Sequence, residues 1–566
     1  MKKQLPASLY YMRKNISFLL FVLLSVQLFA QSLVEQKKEY TRADTLRGSL
    51  RPERTCFDVT FYHLDVKIDT GNHSISGSNY IAFKAMADFK TLQLDLYDSM
   101  KISSITSHGA RLNYRREFNA IFVDMPNLVK KGDTSSLTVY YDGKPTEAVR
   151  PPWDGGFTWT YDRDGNAWIA VSCEGMGASL WWPNKDYLGD EPDSMIIDCT
   201  IPTGLKCVSN GSEQGVNRNG DGTNTFRWFV HYPINNYNVT LNIGNYVHWS
   251  DQYDAQDGDI LSLDYYVLPY NLQKSKEQFT QVKPMMACYE KFLGKYPFWN
   301  DGYALVETPY LGMEHQGAIA YGNKYKTGYA GMDFSRIGLN FDYIIIHETG
   351  HEWWGNSVSC SDIADMWIHE GFCTYTEAIY VECQYGYDTA MRYVNAKKGT
   401  VDNKSPVVGI YGVNEEGDGD MYNKGMLFLN TLRHVVNDDN RWWSMLKCMS
   451  DTTFKMKNIG YQDVVNYFNR KTGRNLTAVF EQYLKKTDIP VFEYTLTHLQ
   501  GKNYELSYHW VVSVPNFSMP AFITTDGKAY TQIEATNQWQ STTLSLNKAD
   551  DFSVNDRSMY INVQKK

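Results

Sequence analysis

The residues best placed by type and spacing to do chemistry are His347-Glu348-Thr349-Gly350-His351. Two His four positions apart on an α-helix project from one face, so both imidazoles can share a single ion. Glu348 falls beside that face, where its carboxylate can reach a water at the ion. A hydrolytic zinc site takes three protein donors and keeps its fourth position for water. Glu370, with eighteen residues between it and His351, stands in Trp367-Ile368-His369-Glu370-Gly371-Phe372 as the third donor. A second helix beginning near there returns it to the ion. Ligand and base must be different carboxylates, and Glu370 and Glu348 meet that need. Two His and a carboxylate also suit non-haem iron, but a Glu inside the motif favours hydrolysis and therefore one Zn2+.

These residues need elements to hold them. Apolar residues recur at helical spacing around Leu339–Trp354, Glu370–Tyr385, Met421–Val436 and Tyr461–Leu484. Strand-like stretches at Ile260–Val267 and Tyr303–Glu307 precede them, so the region 249–486 is a mixed α/β catalytic domain. Before it, from Cys56 to about Tyr246, Phe57-Val59-Phe61, Leu92-Leu94-Leu96 and Leu137-Val139-Tyr141 alternate with polar neighbours. That pattern, punctuated by Asp142-Gly143, Asp154-Gly155 and Asp221-Gly222, predicts an antiparallel β domain within 31–248. After Asp488-Ile489-Pro490 alternation returns in Phe492-Tyr494-Leu496 and Tyr504-Leu506-Tyr508, which suits a small β-sandwich over 487–566. The fold class is α+β, multidomain.

At 566 residues the chain exceeds one hydrophobic core. Its net charge of −9, without a basic stripe, argues against a nucleic-acid partner. Met12-Arg13-Lys14 and the apolar run to Ala30 read as a signal peptide over 1–30, with Met12 as the working start. A secreted protein, periplasmic or extracellular, is expected, with no membrane span after cleavage. The nine Cys are odd in number; Cys199 and Cys207 flank a turn and could bridge in an oxidising compartment, while the sequence leaves the disulfide pairing open. No C-x-x-C pair offers a thiolate zinc site. No oligomeric state is implied.

The metal pattern resembles that of the gluzincins, and its surroundings resemble their M1 aminopeptidase family. Trp367-Ile368-His369-Glu370-Gly371-Phe372-Cys373-Thr374-Tyr375-Thr376-Glu377 is similar to that family's W-L-N-E-G-F-A-x-Y-x-E, and Leu311-Gly312-Met313-Glu314-His315 to its G-x-M-E-N. The resemblance runs from about residue 50 onward and implies a thermolysin-like catalytic domain; the large C-terminal helical domain of many members is missing. It implies Tyr422, in Tyr422-Asn423-Lys424-Gly425, as the donor to the oxyanion, and Glu314 as the anchor for a substrate's N-terminal ammonium. Cys173-Glu174-Gly175-Met176-Gly177-Ala178 resembles the family's E-P-T-x-A-R block and makes Glu174 a second anchor.

Departures from the family pattern fall at Leu311, His315 and His369. Leu311 is expected to narrow the cleft, and His315 to add pH dependence near neutrality. His369 is read as a packing or supporting residue, and Glu377 as a carboxylate holding a zinc-bound imidazole from behind. The reading is a zinc aminopeptidase acting on peptides with free N-termini. Alternatives are an endopeptidase or epoxide hydrolase, which Glu314 and Glu174 disfavour, and an inactive secreted peptide-binding protein on the same scaffold, which the intact set of site residues disfavours.

Overall fold

The computed structural model describes residues 39–566; the expected signal peptide lies outside them. Residues 45–566 form one compact unit. Its first part is β-rich. An eight-stranded sheet has at its centre Phe57–Asp69, flanked by Ser74–Ala85 and Ser194–Pro202. Smaller sheets of three and four strands accompany it. Among the described strands of this part the expected antiparallel pairing holds but for one pair: Phe57–Asp69 and Ser194–Pro202 run parallel, because the chain crosses over between them through the smaller sheets and the loop bearing Glu174. The alternating residues Leu64, Val66, Ile81 and Val139 point into one core, which also takes in Trp181 and Trp182.

Next comes a five-stranded sheet of β1 (Val247–Asp254), β2 (Ile260–Val267), β3 (Tyr303–Glu307), β4 (Gly312–Met313) and β5 (Ala318–Tyr321). Its order is β1-β2-β3-β5-β4, so β4 is an edge strand. Strand β3 lies between two parallel neighbours, and all five of its residues are buried. Strand β1 runs across the expected 248/249 boundary and belongs to this sheet.

Four helices position the site or brace it: α1 (Val282–Leu293), α2 (Tyr343–Gly350), α3 (Trp367–Tyr385) and α4 (Asn423–Val436). Helix α2 starts at Tyr343 rather than Leu339 because Asp342 caps it, its carboxylate accepting from Ile344 N at 3.1 Å. The stretch of helical spacing Tyr461–Leu484 is two helices, Tyr461–Thr472 and Thr477–Lys485, with Asn469 bridging the break to Leu476 N at 2.7 Å. The Cys199–Cys207 bridge does not form; both thiols are free and buried. The disulfide instead joins Cys288 of α1 to Cys383 of α3, two residues far apart in sequence that helix packing brings together.

The C-terminal part is a sandwich of a four-stranded and a three-stranded sheet. Its Phe492, Trp510 and Tyr560 share one core with Phe428 of α4 and Tyr483. Tyr560 N also donates to Thr431 Oγ1 on α4 at 2.9 Å, so this sandwich buttresses the helix that begins just after Tyr422.

Candidate metal centre and active site

Helix α2 presents His347 and, at its C-cap, His351, whose helical φ of −65° keeps both rings on one face. Their Nε2 atoms are 3.3 Å apart. Helix α3 brings Glu370 against them, with Oε2 3.5 Å from His347 Nε2 and 3.4 Å from His351 Nε2. Zinc bound tetrahedrally at ~2.0–2.1 Å spaces its donors ~3.3–3.4 Å apart. The three atoms stand at that spacing. Glu370 Oε2 is also buried without a hydrogen-bond partner, as an atom reserved for an ion would be. Cys373 Sγ lies near the same two rings, but its thiol donates to His347 O at 2.9 Å. The residues therefore fit one zinc ion, with Glu370 rather than Cys373 as third donor.

Both imidazoles are held from behind. His347 Nδ1 meets Glu377 Oε1 at 2.8 Å, and Tyr393 donates to the other oxygen of Glu377. His351 Nδ1 meets Trp354 O at 2.9 Å. These partners accept, so each Nδ1 carries its proton and each Nε2 lone pair faces the centre. Helix α3 is pinned behind the site by the Cys288–Cys383 bridge.

Glu348 projects beside the three donors into a cleft of about 920 Å³. Gly312 on edge strand β4 makes room for it: a Cβ there would lie 2.7 Å from Glu348 Oε1. Burial lifts the Glu348 carboxyl to about 7, where it can take and return a proton near neutrality. Tyr422 lines the same cleft, its ring stacked 6.2 Å from that of His347. Burial, then the nearby carboxylates, push its phenol well above the ordinary range, so it remains a donor.

Glu314 and Glu174 line the cleft as well. Tyr237, from the β-rich part, donates to Glu314 Oε1 at 2.9 Å, and Asn356 donates to Glu314 O at 2.8 Å. Burial and then repulsion from Glu314 and Glu370 raise the Glu174 carboxyl well above its ordinary range; burial raises Glu314 too. Two such carboxylates facing one space form a site that gains from a cation. All the sequence-predicted site residues thus meet in one cleft. Sequence reasoning misses Tyr237, Tyr393 and Asn356: nothing sets Tyr237 apart among 41 Tyr.

Each departure from the family pattern has its own outcome. Leu311 lines the cleft while its carbonyl accepts from Gly322 N at 2.8 Å. His315 is fully buried, neither ring nitrogen has a partner, and burial holds its pKa down to about 3. It stays neutral through the physiological range, contrary to the titration expected of it. His369 accepts from Cys360 N at 2.8 Å through Nε2 and so supports the loop ahead of α3.

Residues 277–483 match the Peptidase family M1 domain. A leucyl aminopeptidase of Saccharolobus solfataricus is 21% identical over 83% of this chain and 59% of its own. Leucine aminopeptidase 2 of Vanderwaltozyma polyspora is 26% identical over 56% of this chain and 49% of its own. The chain spans about half the length of the curated relatives it matches. A crystal structure of an M1 zinc metallopeptidase from Deinococcus radiodurans superposes with a TM-score of 0.63 at 18% identity, covering 76% of this chain and 94% of that one. A mutant of that enzyme bound to a Tyr-Ser-Ala substrate gives 0.64, 18%, 76% and 95%. The shared fold, the matched segment and the metal motif agree: the catalytic domain of this chain is similar to the peptidase family M1 domain over residues 277–483 and has the fold of an M1 zinc metallopeptidase.

Proposed function

We propose that this protein is a zinc-dependent aminopeptidase that removes the N-terminal residue of peptides, using one zinc ion held by His347, His351 and Glu370. The observation that carries the reading is the convergence of those three donor atoms at 3.3–3.5 Å beside the paired carboxylates Glu314 and Glu174. Zinc implied by the family supplies Lewis acidity to the scissile carbonyl and to water.

The chain's own residues supply the rest. Glu314 and Glu174 bind the substrate's α-ammonium, which fixes the first peptide bond over the metal centre and excludes blocked N-termini. Glu348 takes a proton from the attacking water as its oxygen bonds to the carbonyl carbon. Tyr422 donates a hydrogen bond to the oxyanion that develops there. Glu348 then hands the proton to the leaving amine as the C–N bond breaks. Tyr237 keeps Glu314 aimed, and Glu377 keeps His347 aimed.

Relatives named as aminopeptidases support this reading, as does the peptide substrate in the related Deinococcus structure. Export is proposed as well: residues 1–30 read as a signal peptide, and the Cys288–Cys383 disulfide suits an oxidising compartment, periplasmic or extracellular. No helix among the described residues is long and apolar enough to cross a membrane. The test is hydrolysis of alanine or leucine anilide against its N-acetylated form, with and without a chelator. Chelator-sensitive cleavage of the free amine alone supports the proposal. Cleavage of both forms favours an endopeptidase, and cleavage of neither favours an inactive peptide-binding scaffold.

A further inference from the structure

We infer that Lys397 reads the C-terminal carboxylate of a short peptide, so that this chain favours tripeptides and tetrapeptides with free C-termini. The inference rests on the aminopeptidase reading and deepens it. The cleft is lined by six carboxylates and, imidazoles aside, by two cations, Lys397 and Arg336. A cation in so acidic a cleft repels the substrate's ammonium and draws the one group of opposite charge that every unblocked peptide carries, its C-terminal carboxylate.

Lys397 is held for that task. It follows the helix Tyr387–Ala396, and its half-buried side chain carries Nζ 5.0 Å from the Tyr393 ring and 6.0 Å from the Tyr343 ring. No carboxylate lies within ion-pairing distance of it among the described residues. Glu377, whose carboxylate feels the Lys397 charge, has one oxygen on His347 Nδ1 at 2.8 Å and the other accepting from Tyr393 Oη. The ammonium charge is therefore left for something entering the cleft.

Position sets the length of the substrate. Tyr343 stacks on His347 with ring centres 5.0 Å apart and planes 15° from parallel. The legs of 5.0 and 6.0 Å keep Nζ within about 11 Å of the His347 ring centre, and an extended peptide advances ~3.3–3.6 Å per residue. At most two or three residues beyond the scissile bond are needed to cover that span. Tripeptides and tetrapeptides can then bind by both ends at once, ammonium at Glu314 and Glu174, carboxylate at Lys397. An octapeptide carries its carboxylate past Lys397 and gains nothing from it.

The test compares kcat/KM for each peptide acid with its C-terminal amide: trialanine, tetra-alanine and octa-alanine, with the full chain loaded with zinc. The acid is expected to exceed the amide by about tenfold for the two short peptides and to equal it for the octapeptide. Lys397→Met should bring the short-peptide ratio to about one, and Lys397→Arg should keep the preference. Because the ratio is read within each enzyme, losses of folding or chemistry common to both substrates cancel. Equal rates for short acid and amide in the unmodified enzyme overturn the inference. So does a ratio that survives Lys397→Met while both rates fall together, the result expected if Lys397 only offsets the charge of Glu377. Cleavage of none of these peptides overturns the aminopeptidase reading itself, and the inference with it.

Discussion

Gly425 packs directly on Gly371: a Cβ built on Gly425 would lie 2.6 Å from Gly371 Cα. The first belongs to the segment bearing Tyr422, the second comes right after Glu370, so this backbone contact joins two ends of the proposed chemistry. Gly425→Ala puts a methyl against backbone, where no rotamer change relieves it. The expected cost is ~1–3 kcal/mol of stability. Helix α4 must back away from α3, carrying Tyr422 with it, so kcat should fall more than KM changes. Thermal unfolding and steady-state kinetics on the anilide check both, and unaltered kcat would detach this contact from the chemistry.

Glu348→Gln keeps the shape and removes the proton acceptor. The variant should bind zinc as before and lose activity by a factor of ~100 or more. Turnover near that of the unmodified enzyme would take Glu348 out of the base role.

Glu314 links binding to pH. Burial raises its carboxyl in the free protein, and a bound ammonium favours the ionised form, so binding is expected to weaken as pH falls through that raised pKa. On the alkaline side the substrate's own amine, with a pKa of ~8, loses its charge. KM should therefore pass through a minimum. Glu314→Gln should raise KM, flatten the acidic limb and weaken discrimination against N-acetylated substrate. Parallel KM profiles for the two proteins would contradict the anchor role.

Glu377→Gln leaves a side chain that can still accept from His347 Nδ1 but carries no charge. Zinc affinity should drop ~10–100-fold, the range for partners of metal-bound His. Competition with a metallochromic chelator measures it; an unchanged dissociation constant would make Glu377 a packing residue.

How far the sequence leads is set by the range of the contacts. His347, Glu348, His351 and Glu370 are legible because one helix turn and a fixed motif bring them together. Strands Ile260–Val267 and Tyr303–Glu307 are legible because their apolar pattern is local. The Cys288–Cys383 bridge is not, since it depends on how α1 meets α3, and Cys199 and Cys207 are the pair that lies close in sequence. Tyr237 and Asn356 support Glu314 from distant parts of the chain, and neither residue type nor spacing marks them out. His315 misleads because its exposure, not its identity, decides its titration: full burial keeps it neutral. Lys397 acquires meaning only once its Nζ is seen near the Tyr343 ring that stacks on His347.

The proposed chemistry depends throughout on His347, His351 and Glu370 binding one zinc ion, with Cys373 left out. X-ray absorption at the zinc edge on purified protein, with metal content measured on the same sample, tests it most directly. One zinc per chain with a shell of nitrogen and oxygen at ~2.0–2.1 Å is the predicted result. A sulfur shell at ~2.3 Å, which would put Cys373 in Glu370's place, or folded protein that takes up no zinc, would contradict it.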